Sequence, residues 1–507
     1  MSLRSLLTTA ATAGAISLNA AHAAPAASDL VFNADHYVRR EVELRGQRVV
    51  VRAYENIVYV AKPVDASHQA MNIYVPDAYF QGERIGAFSA DTAPIFLPNQ
   101  VGGYMPAPPG SLDGAKMPGP PNRPNTIAEA LLRGYVVAAP GARGRTSQGT
   151  DGRYTGKAPA AIVDLKAAVR YLRFNDARMP GSAERIISNG TSAGGALSAL
   201  LGASGNSADY DAALRALGAA PARDDIFAVS AYCPITNLEH ADAAYEWQFQ
   251  GVNDYKAISI AMLDFKVERK EVAGTLTPDQ VALSSALKTQ FPEYLNSLAL
   301  RSPDGRALTL DADGNGTFKD YVKRLLIASA QQAHAAGQPV GSAPGVKLED
   351  ATVRDIDFAA YVRGMARQKT PPAFDAVDLG SGENDLFGTE QVKARHFTDF
   401  SFAHSRVAGS IRADAQTVRM MNPMSYLGVP GATPAKHWRI RHGASDRDTS
   451  FAIPAMLALA LQNKGLDVDF ALPWGIPHSG DYDLDALFAW VAQITAGAGN
   501  RQHRFDE

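Results

Sequence analysis

Short runs of β-branched and aromatic residues alternate along this chain with longer stretches in which apolar positions recur every three or four residues. Runs that are apolar throughout read as strands covered on both faces. The second pattern reads as helices packed along one side. The first segment departs from this rhythm: Arg48–Arg52, Asn56–Val60 and Met71–Val75 are β-branched runs joined by turn-length connections, which predicts an antiparallel start to a larger sheet. Alternation then begins. A strand is expected at Pro94–Leu97, a helix over Thr126–Arg133 closed by Gly134, and a buried strand at Tyr135–Ala139. A helix from Ala160 to Arg173, a strand at Arg185–Ile187, a helical run at Ala196–Leu201 and a strand at Phe227–Tyr232 follow. From Asn237 to about Arg419 the chain leans to helix and loop, with no comparable β-runs. The rhythm returns with a strand at His437–Arg441, a helix from about Phe451 to Lys464, a strand at Val468–Leu472 and an amphipathic helix over Leu484–Ile494.

Such alternation predicts an α/β fold: a mostly parallel sheet flanked by helices, interrupted by a large inserted helical and loop-rich lid domain. The expected boundaries are 24–236 and 421–507 for the two parts of the sheet domain. The insertion takes 237–420 and would pack over the carboxyl edge of the sheet. A length of 507 residues suits one large domain carrying an insertion, or two domains.

Composition narrows the class. A net charge of −3, without a basic tract, gives no reason to expect nucleic acid or an anionic membrane as partner. Residues 1–23 have the form of an export signal: Arg4, an apolar stretch from Leu6 to Leu18, and Ala21-His22-Ala23 as the cleavage site. The mature protein would then be periplasmic or secreted. The single cysteine, Cys233, cannot form an internal disulfide, and its apolar setting predicts a buried structural thiol. Asp311, Asp313 and Asn315 repeat the first half of a calcium loop. The glutamate of such loops is missing, Val322 standing in its place, and a glycine turn held by Asp side chains explains the residues equally well. Calcium there would be structural.

The chemistry centres on Gly190-Thr191-Ser192-Ala193-Gly194, a G-x-S-x-G between a strand and a helix. A sharp strand-to-helix turn exposes the serine, and the small residues let the backbone pass close to its neighbours. Ser192 is the candidate nucleophile, and the Ala193 amide at the helix start faces a developing oxyanion. In this architecture the acid and then the base follow in the chain. Asp446, in a loop after the His437–Arg441 strand, is the candidate orienter. His478, in a loop after the Val468–Leu472 strand, is the candidate base. His437 would begin a strand at the wrong edge, and His442 precedes the acid. Gly102 or Gly103, after the Pro94–Leu97 strand, would supply a second oxyanion donor. The reaction needs no cofactor and no catalytic metal.

The elbow N-G-T-S-A-G-G, the Pro140-Gly141-Ala142-Arg143-Gly144-Arg145 run, the loop from Arg441 to Ser450 and the loop from Trp474 to Tyr482 together resemble bacterial tannases. The resemblance runs over nearly the whole mature chain and implies an α/β-hydrolase with an inserted lid that hydrolyses galloyl esters. It also implies that Lys369, Glu383 and Asp448 hold the three ring hydroxyls. The rival within the same chemistry is an esterase for feruloyl or other hydroxycinnamoyl esters. A peptidase and a non-catalytic binding protein on the same scaffold are the more distant alternatives.

Overall fold

The computed structural model describes residues 30–113, 125–263 and 266–499; the export signal expected at 1–23 lies outside them. In chain order the strands are β1 (Val38–Leu44), β2 (Gln47–Val58), β3 (Ala70–Pro76), β4 (Pro94–Pro98), β5 (Val136–Pro140), β6 (Ser182–Thr191) and β7 (Ala228–Tyr232). Then come β8 (Asp254–Leu263), β9 (Lys266–Thr275), β10 (Val346–Glu349), β11 (Thr352–Ile356), β12 (His437–Arg441) and β13 (Asp467–Ala471). One sheet of nine strands has the order β1-β2-β3-β5-β4-β6-β7-β12-β13. The first three strands pair antiparallel, β3 also meets β5 antiparallel, and every pairing from β5 to β13 is parallel. The fold is the mostly parallel, helix-flanked sheet that the alternation predicts, of the α/β-hydrolase type that the resemblance implies.

β4, β5 and β7 are buried at every position, which is why they read as unbroken apolar runs. Alternate residues of these strands feed two cores, one on each face. Ile95, Leu97, Val136 and Ala138 pack with Leu165, Val169, Leu197 and Leu200 of the helices Ala160–Phe174 and Ala193–Ala203. Phe96, Val137 and Ala139 pack with Leu131, Leu487, Phe488 and Val491 of the helices Thr126–Leu132 and Leu484–Gly499. A sheet covered on both faces leaves its strand ends as the place for chemistry.

Two expectations are corrected. Arg48–Arg52 and Asn56–Val60 are not separate strands, because β2 runs through Gln47–Val58 with its register shifted between Tyr54 and Ile57. Asn56 has φ 59° there and donates its amide to Asn72 Oδ1 at 2.8 Å, so a bulge stands where a turn was expected. The segment after Asn237 also contains two antiparallel hairpins, β8–β9 and β10–β11. Exposed charged residues such as Lys256, Lys270 and Glu271 break up the apolar signal there. That segment is otherwise helical, with a long helix at Pro278–Ser297 and another at Thr317–Ala335. At the calcium-like turn, Asp311 Oδ1 accepts the amides of Asp313 and Asn315 at 3.0 and 2.9 Å. The Lys319 ammonium donates to Asn315 Oδ1 at 2.9 Å. No described helix is long and apolar enough to cross a membrane.

Candidate active site

β6 ends at Thr191, and the chain turns at Ser192 into the helix Ala193–Ala203. Ser192 has φ 60° and ψ −122°, a conformation that a side chain rarely adopts and that surrounding bonds must hold. Its amide donates to Tyr232 O at 3.0 Å. A Cβ at Gly194 would come within 2.6 Å of both Asn99 Oδ1 and Val101 O, so the turn requires glycine for close approach. Asn99 has no foreseen role and proves central. Its Nδ2 donates to Gly194 O, Asn189 O and Ser198 Oγ at 3.0, 3.3 and 2.9 Å, tying the loop after β4 to the elbow.

The loops after β12 and β13 meet backbone to backbone. Ala444 N donates to Pro473 O at 2.8 Å and Ser445 N to Ile476 O at 3.0 Å; a Cβ on Gly443 would run into the Ile476 carbonyl. These contacts bring together side chains 32 positions apart: His478 Nδ1 stands 2.8 Å from Asp446 Oδ2. His478 Nε2 stands 2.9 Å from Ser192 Oγ. A carboxylate only accepts, so Nδ1 carries the proton and Nε2 is left to accept from the serine hydroxyl. His437 pairs with Asp467 at 2.7 Å at the opposite end of β12. His442 is fully buried with Nδ1 3.6 Å from Asp446 Oδ2, and neither ring nitrogen has a hydrogen-bond partner among the described residues.

Burial works against the charge of Asp446, but the adjacent His478 and His442 more than offset it, holding the carboxyl at about 2. Burial also disfavours the charged His478 imidazole. The Asp446 charge outweighs that and raises it well above the ordinary histidine value. Cys233 is a buried thiol just past the end of β7, and burial pushes its pKa up.

Ala193 occupies the first position of its helix, where an amide has no partner within the helix. Gly102 and Gly103 lie in the loop after β4. Met105 N donates to Gly102 O at 3.0 Å and Arg145 Nε to Gly103 O at 2.8 Å. Arg145 also bonds Asp385 at 2.6 Å through Nη1, so one guanidinium joins this loop to the short helix Gly382–Leu386 that carries Glu383.

Asp448 is bound to Asp446 through its own amide, which donates to Asp446 Oδ1 at 2.8 Å. Its carboxylate accepts from Lys369 Nζ at 3.1 Å and from Gln368 Nε2 at 3.0 Å. Burial raises Asp448, yet the Lys369 charge wins and leaves it below the usual carboxylate range. Glu383 faces the same group: burial raises it, while Lys369 draws it down and Asp448 pushes it up. Tyr245 organises this cluster. Its hydroxyl accepts the amides of Gln368 and Lys369, each at 3.1 Å, and donates to Arg447 O at 2.9 Å. Tyr245 lies on a helix whose apolar positions read as ordinary core, so its hydroxyl gave no signal in the sequence.

A family model described as BD-FAE, an α/β-hydrolase family, matches residues 113–281. No curated protein matches the chain. Among solved structures the chain is similar to a tannase from Lactobacillus plantarum, at 50% identity over 92% of this chain and 99% of that one, with a TM-score of 0.88. A tannase from Fusobacterium nucleatum matches at 50% identity over the same shares, with a TM-score of 0.87. A tannin acyl hydrolase in complex with ethyl gallate matches at 51% identity, again over 92% and 99%, with a TM-score of 0.86. Half of the aligned residues are thus shared across a sheet, elbow and loop set of one architecture: the chain belongs to the tannase family and is a carboxylic ester hydrolase.

Proposed function

We propose that the enzyme hydrolyses galloyl esters of tannins and simple gallates through an acyl-enzyme on Ser192. The observation that carries this is the pairing of two carboxylates in one loop. Asp446 orients His478, and Asp448, two residues on, presents a charge beside Lys369 and Glu383. A polyphenol ring offers hydroxyls that donate to the carboxylates and an oxygen that accepts from the ammonium. A ring without hydroxyls leaves these groups unpaired in a desolvated site, a loss that can reach about 10⁴-fold in discrimination.

His478 takes the Ser192 proton as Oγ attacks the ester carbonyl, and the amides of Ala193 and of Gly102 or Gly103 hold the tetrahedral oxyanion. The alcohol leaves with the proton from His478. Water, activated by the same imidazole, then releases gallate. The segment 237–420 acts as the lid that supplies Lys369 and Glu383. The chain works as an exported enzyme and uses no cofactor in the chemistry.

The test is a panel of methyl gallate, methyl protocatechuate and methyl ferulate with the wild-type enzyme and with Ser192→Ala. Gallate should be preferred, and Ser192→Ala should lower kcat by several orders of magnitude with an unchanged unfolding transition. Preference for ferulate would transfer the assignment to the hydroxycinnamoyl esterases, and full activity in Ser192→Ala would remove the nucleophile.

A further inference from the structure

Cys233 takes no part in that reaction, yet its sulfur lies against the base: Sγ is 3.9 Å from His478 Nε2. Cys233 Sγ, His478 and Asp446 are the only group of three such side chains among the described residues whose ligand atoms converge, all within 4.8 Å of one another. Their arrangement differs from an ordinary triad in one respect. An imidazole whose Nδ1–H is held by a carboxylate is also the standard form of a metal-binding histidine, and its Nε2 lone pair is the ligand. A thiol beside that lone pair completes the chelate.

The distances suit one ion. Zn–S and Zn–N bonds of about 2.3 and 2.05 Å at a tetrahedral angle put sulfur and nitrogen about 3.6 Å apart. The observed separation exceeds this by a few tenths of an ångström, within reach of a small turn of either side chain. Ser192 Oγ, 2.9 Å from Nε2, is a further oxygen beside the same nitrogen. The sulfur is fixed by its backbone. Cys233 has φ 35°, its amide donates to Arg441 O at 2.6 Å, and its thiol points to Ser479 O at 3.4 Å.

We infer that the enzyme carries an inhibitory site for a thiophilic divalent cation of the zinc or cadmium class, chelated by Cys233 Sγ and His478 Nε2. As the ion binds, the thiol proton passes to water and the S–M and N–M bonds form with no change of oxidation state. The ion then occupies the lone pair that must take the Ser192 proton, and turnover stops. Soft thiolate ligation selects such ions over magnesium or calcium.

The experiment titrates cadmium chloride into the full chain, with Cys233→Ala and Cys233→Ser beside it. Two readouts are followed: methyl gallate hydrolysis, normalised to each protein's own rate without metal, and the ultraviolet thiolate-to-cadmium absorbance measured without ester. The expected result is a band saturating at one ion per chain in the wild type, reversible inhibition relieved by chelator, and no band in either variant. The cadmium needed for half inhibition should rise at least about tenfold in the variants, since the soft ligand is gone. Magnesium should do nothing. Equal sensitivity of wild type and variants, or no band in the wild type, overturns the site. Because the absorbance needs no turnover, it reports on the chelate even if the ester assignment fails.

Discussion

Asp448→Ala separates recognition from chemistry. The wild-type carboxylate accepts from Lys369 at 3.1 Å and Gln368 at 3.0 Å, and its remaining lone pairs are available to a substrate hydroxyl. A hydrogen bond to a charged acceptor contributes about 1.5–3 kcal/mol. At about 1.4 kcal/mol per factor of ten, the variant should lose roughly 10- to 150-fold in kcat/KM on methyl gallate. Methyl benzoate brings no hydroxyl, so its kcat/KM should stay within about threefold of wild type. The contact that steadies Asp446 survives the substitution, because it is the residue 448 amide that donates to it. Asp448→Asn, which keeps the volume and removes the charge, should fall between the two. The assay is the gallate-to-benzoate ratio of kcat/KM from product release. Equal losses on both esters would show that Asp448 acts through Asp446 instead, and would refute the recognition role.

In the proposed mechanism His478 must be neutral to accept a proton, and Asp446 raises it above its ordinary 6.5, so kcat/KM should climb with pH through a midpoint above 6.5. Asp446→Asn should move that limb to lower pH while cutting the plateau; a limb unmoved by the change would contradict the electrostatic account. Asp446 itself, at about 2 against an ordinary 3.8, contributes stability above pH 3.8 that is lost as pH falls toward 2, so Asp446→Asn should flatten that part of an acid-unfolding curve. Arg145→Met cuts the link between the Gly103 carbonyl and the helix bearing Glu383, so kcat should fall and KM for methyl gallate rise, together by on the order of tenfold. Arg145→Lys should recover KM more than kcat, and a lowered Tm with both constants intact would leave the residue merely structural. Gly443→Ala drives a methyl into the Ile476 carbonyl and should cost about 1–3 kcal/mol in urea unfolding, with reduced turnover. Wild-type stability in that variant would mean the two loops part without penalty.

The sheet was readable because its central strands are buried on both faces and so appear as apolar runs bounded by turn residues. The elbow was readable for a different reason: its glycines answer a local steric demand that no distant contact changes. What escaped was set by partners far away in the chain. β2 absorbs a turn-like asparagine because Asn72, sixteen residues on, accepts its amide. Arg367 looks like a surface charge, yet it is fully buried and donates to Glu246 across 121 positions at 3.1 Å. That pair anchors the stretch leading to Lys369, and nothing near either residue in sequence signals it. Arg145 stands in the sequence as one member of a glycine- and arginine-rich run; its two acceptors lie 42 and 240 positions away.

β7 and β12 are register neighbours, Ala228 beside His437 and Tyr232 beside Arg441, although roughly 200 residues of chain run between them. Lengthening such an excursion is thermodynamically mild, about 0.6 kcal/mol for each doubling. The junction is therefore a natural graft point. If Lys369 and Glu383 hold the ring as proposed, a segment from another homologue spliced between these strands would change which acyl group is welcomed, while Ser192, His478 and Asp446 remain where the sheet holds them.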